Sequence, residues 1–155
     1  MTLILEKAEP KDLLRAASAA GKAAGLPYAG TLRPKEAYAL FSSGCAMLVD
    51  VRTAEEMKFV GHVPGSIHVP WATGPSLARY PRFLRELQAR VEKDAVLLMI
   101  CRSGKRSAAA AEVATRAGYR NVFNVEDGFE GQIDGCNQRG RLGGWRFEGL
   151  PWIQD

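Results

Sequence analysis

Val96-Leu97-Leu98-Met99-Ile100, Cys101-Arg102-Ser103-Gly104-Lys105-Arg106 and Ser107-Ala-Ala-Ala-Ala-Glu-Val-Ala-Thr-Arg-Ala117-Gly118 follow one another without interruption, and their order decides the fold. The five apolar residues have the length of a strand buried on both faces, and the Ala-rich segment reads as a helix stopped by Gly118. A strand, a tight loop and a helix are thus joined with a thiol at the turn. The first backbone N–H groups of a helix lack intrahelical partners and the helix dipole presents positive partial charge there, so Cys101 is expected to sit beneath an anion-binding terminus. Gly104 allows the loop to curl and bring further amides to one point. Arg102, Lys105 and Arg106 add positive charge, with no acid inside the loop. A buried cysteine at a strand end is often only a small core residue. Three cations and a glycine in the next five positions are a poor continuation of a core, and they favour an activated nucleophile that attracts anionic substrates.

Two further segments fall into line with this loop. Leu48-Val49-Asp50-Val51-Arg52 is followed by Glu55-Glu56 and by Gly61-His62-Val63-Pro64-Gly65-Ser66-Ile67-His68-Val69-Pro70. Near the end stand Asn121-Val-Phe-Asn-Val125-Glu126-Asp127-Gly128-Phe129, then Gly144-Trp145 and Gly149-Leu150-Pro151. Together with the C-R-S-G-K-R-S loop, these resemble the signatures of the single-domain rhodanese sulfurtransferases, in the right order over about residues 31–152. There are two departures from the family pattern. Met57-Lys58-Phe59-Val60 is one residue longer than the commonest spacing, and Asp127 stands where many members have glycine.

The resemblance implies a three-layer α/β fold, a central parallel sheet with helices on both faces, in residues 31–155, with residues 1–30 as a helical extension. It implies that Cys101 takes sulfane sulfur from a small anionic donor such as thiosulfate, forms a persulfide, and passes the sulfur to a thiol or cyanide. Arg102, Ser103, Gly104, Lys105, Arg106, Ser107 and Arg52 are the expected substrate-binding residues, with Asp50 in structural support. No metal or organic cofactor is called for. A sulfur carrier that delivers to a partner protein is the alternative from another class.

Cysteine-dependent phosphatases and arsenate reductases use similar parts but follow C-x5-R, whereas here Arg106 arrives one residue early and Ser107 fills the sixth place. The shorter ring suits one sulfur atom better than a phosphoryl group, and no Asp adjoins the loop as a general acid.

The rest of the chain bounds this reading. A length of 155 residues with 46% hydrophobic and 25% charged residues fits one globular domain. The net charge of +4 is modest, and no basic block with interleaved aromatics points to nucleic acid. Met1-Thr-Leu-Ile-Leu-Glu-Lys7 lacks the pattern of a secretory leader, and no apolar run is long enough for a membrane span, so a cytoplasmic location is expected. Three cysteines, at 45, 101 and 136, do not form a disulfide framework. Cys45 reads as buried and inert, and Cys136 as a surface thiol in a Gly-rich excursion.

Alternation of strands and helices predicts a helix over Lys11–Ala24 covering one sheet edge, then a short extended piece from Thr31 and a helix over 34–42. A strand over 46–51, a helix over 54–59 and a strand over 67–69 follow, with a strand over 121–125 after the Cys101 unit. Ligands bind beyond the carboxyl ends of parallel strands, which gathers Cys101, Asp50, Arg52 and the Asp127-Gly128 turn at one mouth. The two histidines lie at no metal-ligand spacing and are expected to make structural hydrogen bonds.

Overall fold

A computed structural model describes residues 9–155; Met1–Ala8, read above as carrying no leader, lie outside the described residues. Five parallel strands form the central sheet: β1 (Gly30–Leu32), β2 (Met47–Asp50), β3 (Ile67–His68), β6 (Val96–Ile100) and β7 (Asn121–Val125), in the order β1-β7-β6-β2-β3. The register pairs Asp50 with Ile100 and Met99 with Asn124, which brings the carboxyl ends of β2, β6 and β7 level.

Side chains alternate across a strand, and the two faces of β6 therefore belong to different cores. Leu97, Met99 and Cys101 join Phe83, Leu87, Ala110, Ala111 and Ala114 on one side. Leu98 and Ile100 join Ala17, Ala37, Leu40, Phe123 and Trp145 on the other. The first core is roofed by α4 (Phe83–Arg90) and α5 (Lys105–Arg116), the second by α1 (Pro10–Ala23) and α2 (Pro34–Ser42). This is the expected α/β sandwich of three layers.

The helix read over 11–24 is α1, and it lies against the edge strand β1 at van der Waals distance. A Cβ on Gly21 would fall 2.3 Å from the Ala29 carbonyl oxygen, and one on Gly30 would fall 2.4 Å from that of Ala17. Two glycines facing each other thus set the helix-to-sheet distance.

Two local expectations, for Cys45 and for the start of the active-loop helix, need correction, and one segment was left unread. Cys45, expected in the core, is exposed. It follows Gly44, whose φ of 81° ends α2, and its amide returns to the Leu40 carbonyl, so the strand begins only at Met47. The segment after Pro70 holds an antiparallel hairpin, β4 (Ala72–Thr73) with β5 (Ala78–Arg79), before α4 begins at Phe83. The active-loop helix starts at Lys105, two residues before Ser107, because Gly104 at φ 108° turns the chain directly into it.

Candidate active site

Cys101 ends β6 on the buried face, with 1% of its surface exposed. Its sulfur is held from two directions. The Gly104 amide donates to Sγ at 3.1 Å, and Ser107 Oγ lies 3.2 Å away from the first turn of α5. The loop residues between them are shaped by what happens to their carbonyls. Cys101 O accepts from the Phe129 amide at 2.8 Å, and Arg102 O from the amides of Glu130 and Gly131 at 3.0 and 3.2 Å. Ser103 O accepts from Gln132 Nε2 at 2.7 Å, and Gly104 O from Asn124 Nδ2 at 3.1 Å. With these four carbonyls bonded to the 124–132 segment, none of them is turned on the sulfur, which receives the Gly104 amide beside the N-terminus of α5. An N–H group at a helix N-terminus stabilises an anion.

The 124–132 segment can approach this closely only because of Gly128. A Cβ there would lie 2.3 Å from Cys101 O, and its φ is 61°. Asp127, the departure from the family glycine, takes φ 65°, a left-handed value that Asp tolerates better than most residues. Its carboxylate accepts from Gln132 Nε2 at 3.2 Å, so the acid that replaces a glycine also helps to hold the residue clamping Ser103 O.

Asn124, which sequence reasoning passed over, is buried on β7 behind the loop. Its Nδ2 is committed to Gly104 O, so its Oδ1 must accept the Ser107 hydroxyl proton, at 2.5 Å. Ser107 therefore offers the thiol a lone pair in the resting state. The available signal was an amide inside the apolar run Val122-Phe-Asn-Val125, since a buried polar side chain needs partners.

The expected cations separate in the fold. Arg106 is bound by Glu56, with Nη1 to Oε1 at 2.7 Å and Nη2 to Oε2 at 2.9 Å, and the two side chains are only 13% and 18% exposed. Burial pushes the Glu56 carboxyl up, but the Arg106 hydrogen bonds and charge, with help from Thr53, outweigh it and hold the pKa at about 2. Arg106 is raised above its ordinary value, since the Glu56 contacts and the nearby Cys101 and Asp50 outweigh its own desolvation. Glu56 is delivered to this point by the capping box of α3 (Ala54–Phe59), in which Thr53 Oγ1 accepts from the Glu56 amide and the Thr53 amide donates back to Glu56 Oε1, both at 3.1 Å.

Arg52 does not reach the mouth. Its guanidinium is 0% exposed, paired with Asp50 (Nη2 to Oδ2 at 2.7 Å), bonded to Gly61 O at 2.8 Å and laid over the Phe129 ring. Its Nη1 is buried without a hydrogen-bond partner, and the Asp50–Arg52 pair ties β2 to the Gly61 and Phe129 turns. Lys105 is exposed at the start of α5, and Arg102 is half-buried. His62 and His68 bond to the carbonyls of Met57 and Arg52. Trp145 is buried and Trp152 packs edge-on against Phe129, while Trp71 lies under the Arg79 guanidinium and meets Phe83 edge-on. Cys136 is exposed in a turn capped by Asp134.

Beside the loop a groove of about 600 Å³ opens between α3, the β4–β5 hairpin and the chain from Glu130 to Arg139. Arg102 and Arg106 line the side of the groove nearest Cys101. No helix among the described residues is long and apolar enough to cross a membrane.

A parallel sheet with a buried cysteine on the loop between β6 and α5 defines a three-layer α/β fold with Cys101 at the carboxyl end of the sheet. The Rhodanese-like domain model matches residues 33–133, and the chain belongs to that family. It is 33% identical over 97 residues to thiosulfate sulfurtransferase GlpE of Pseudomonas savastanoi pv. phaseolicola, covering 63% of this chain and 80% of that protein. Among solved structures, Rv0390 from M. tuberculosis is 42% identical with a TM-score of 0.75, over 83% of this chain and 99% of that one. A Rhodopseudomonas palustris protein, RPA3614, described as a possible tyrosine phosphatase, is 28% identical with a TM-score of 0.55, over 95% of this chain and 96% of that one.

Proposed function

We propose that the protein is a sulfurtransferase that carries sulfane sulfur on Cys101. The observation that carries this reading is the cradle itself: a buried sulfur that receives the Gly104 amide, beneath a loop whose four carbonyls are all turned away. In the first half-reaction the Cys101 thiolate attacks the outer sulfur of thiosulfate or a related donor. The donor S–S bond breaks, sulfite leaves with the electron pair, and a Cys101 persulfide remains. The loop amides stabilise the terminal sulfur anion, with Arg102, Lys105 and the α5 N-terminus supplying positive potential. In the second half-reaction a thiol or cyanide attacks that sulfur and restores the thiolate. Such chemistry needs a reducing compartment, and we assign the protein to the cytoplasm on that ground.

The description of the R. palustris protein raises phosphoryl transfer as a second reading. Against it stands Arg106, the only arginine near the position a phosphatase would use to hold its oxyanion. Here both of its terminal nitrogens are engaged by Glu56. The test is thiosulfate-to-cyanide transfer by the wild-type protein and Cys101→Ser, with circular dichroism on the same preparations. Activity lost in a well-folded variant supports the reading; aryl phosphate hydrolysis exceeding sulfur transfer in kcat/KM would replace it. Fast persulfide formation with slow turnover on small acceptors, relieved by a protein acceptor, would recast the protein as a carrier.

A further inference from the structure

The groove itself brings no net charge to the mouth, since its lining sets Arg102, Arg106 and Arg139 against Glu55, Glu56 and Glu130. The excess of cations lies on the neighbouring rim. The stretch from Trp71 to Val91 carries Arg79, Arg82, Arg85 and Arg90 against a single acid, Glu86. Glu86 is engaged by the Tyr80 hydroxyl, and Arg90 reaches back to the His68 carbonyl at 2.9 Å. Arg79, Arg82 and Arg85 are exposed, line no part of the groove and make no ion pair among the described residues.

Topology brings these three arginines to the end of the sheet that holds Cys101. Because β2, β3 and β6 are parallel, the connection from β3 to β6 must return along the sheet, so α4 starts at the carboxyl ends of the strands, as α5 does after β6. Trp71, Phe83 and Cys101 share one core. The Arg79 guanidinium is held 3.5 Å from the centre of the Trp71 ring and gives Nη1 to Tyr80 O at 2.7 Å. Arg82 and Arg85, three residues apart at the start of α4, are neighbours on the helix surface. Helix stability does not account for them. Arg82 occupies the N-cap without a side-chain cap bond and Arg85 lies in the first turn, where the helix dipole disfavours cations and Ser, Thr, Asp or Asn make better caps. Local rules broken with no compensating contact are expected at functional positions.

We infer that Arg79, Arg82 and Arg85 form the docking surface for a protein that carries an acidic patch beside its own acceptor cysteine. The inference rests on the sulfurtransferase reading of Cys101. Three guanidiniums on open surface do not enclose a small anion, whereas a broad acidic face meets all three at once and is steered to the mouth by their field. A nucleic acid fits this end of the molecule less well. Glu55, exposed and without an ion pair among the described residues, stands across the groove and repels an evenly anionic strand, and the chemistry needs a thiol that an unmodified nucleic acid lacks. Once docked, the partner's thiolate attacks the outer sulfur of the Cys101 persulfide. The Cys101 S–S bond breaks, its electron pair stays on Cys101 as thiolate, and the partner leaves as the persulfide; no external oxidant or reductant is needed.

The test uses the full chain, charged at Cys101 with thiosulfate and checked by intact mass for the gain of one sulfur. The acceptors are three synthetic peptides of equal length with blocked termini, each with one cysteine flanked by Glu, by Gln or by Lys residues, and each rate is corrected for thiolate fraction. At low salt kcat/KM for the Glu peptide should exceed that for the Gln peptide by about tenfold, as two or three exposed charge pairs acting together give, and the gap should close as salt is raised to about 0.5 M. Arg82→Gln/Arg85→Gln, alone and with Arg79→Gln added, should remove most of this preference through KM, while thiosulfate-to-cyanide transfer stays within about twofold. Thermal stability of the double variant should be unchanged or raised, because cations have been taken from a helix N-terminus. Arg82→Glu/Arg85→Glu should turn the preference toward the Lys peptide. Equal rates for the three peptides, or a Glu preference that none of the variants moves, would overturn the inference while leaving the sulfurtransferase reading intact. Equal rates together with single-stranded oligonucleotide binding that the double variant abolishes would overturn it in favour of a nucleic-acid face. If no sulfur is gained from thiosulfate or an alkyl persulfide, the underlying reading fails and the inference with it, and the mass measurement tells the two failures apart.

Discussion

Replacing Glu56 with glutamine removes the negative half of the Glu56–Arg106 pair and keeps an oxygen that can still close the Thr53 capping box. The cost can be worked from the carboxyl's titration. Its pKa falls from the ordinary 4.5 to about 2 in the folded protein, and at about 1.4 kcal/mol per unit this is about 3 kcal/mol of stability. The figure agrees with the ~3–5 kcal/mol lost when one partner of a buried pair is removed, and both side chains are mostly sheltered from solvent. Because the folded value lies below the ordinary one, this contribution is fully present above about pH 4.5 and is lost as pH falls through about 2. Urea unfolding of wild type and Glu56→Gln across pH 2–7 should therefore show a gap of about 3 kcal/mol at neutral pH that narrows in acid. Equal stabilities at pH 7, or a gap that does not shrink on acidification, would refute the assignment of this pair as the anchor of Arg106. The same variant frees Arg106 beside the sulfur, so KM for thiosulfate should fall, by about threefold if the released guanidinium acts as an exposed charge.

Gly128→Ala introduces a Cβ 2.3 Å from Cys101 O at a left-handed φ, so it should cost at least about 2 kcal/mol in thermal or urea unfolding and depress sulfur transfer by displacing the loop. Asn124→Ala strips the clamp from Gly104 O and the acceptor from Ser107, and transfer should drop about tenfold, read as kcat with thiosulfate and cyanide. Cys45→Ser and Cys136→Ser should retain most of the activity, because both thiols are exposed and neither lies in the cradle; a Cys136→Ser protein that accumulates persulfide without discharging it would show that Cys136 resolves it.

The parallel sheet and the position of Cys101 were legible because they rest on local signals. A five-residue apolar strand, a glycine at positive φ and an Ala-rich helix leave Cys101 few places to go. Cys45 misled because its chain neighbours Ala46 to Val49 are apolar, while the turn that exposes it is dictated by Gly44, one residue earlier. Glu56 was visible only as part of a motif. Its partner lies 50 residues away in sequence, and nothing in a single sequence reports that α3 brings the carboxylate onto Arg106 and so withdraws that cation from the loop. The enclosure of Arg52 by Asp50, Gly61 and Phe129 was hidden for a similar reason, since Gly61 and Phe129 come from segments distant in sequence. The neutral character of the groove is likewise a property of assembly, as its acids and bases come from separate segments.

The central claim is that Cys101 is the atom on which sulfur rides. Intact mass before and after incubation with thiosulfate, with peptide mapping of the product and Cys101→Ser in parallel, tests it most directly. The account predicts a gain of one sulfur mapped to Cys101, reversed by cyanide and absent from the well-folded variant. No gain in wild type with either thiosulfate or an alkyl persulfide, or a gain that persists in Cys101→Ser, would contradict it.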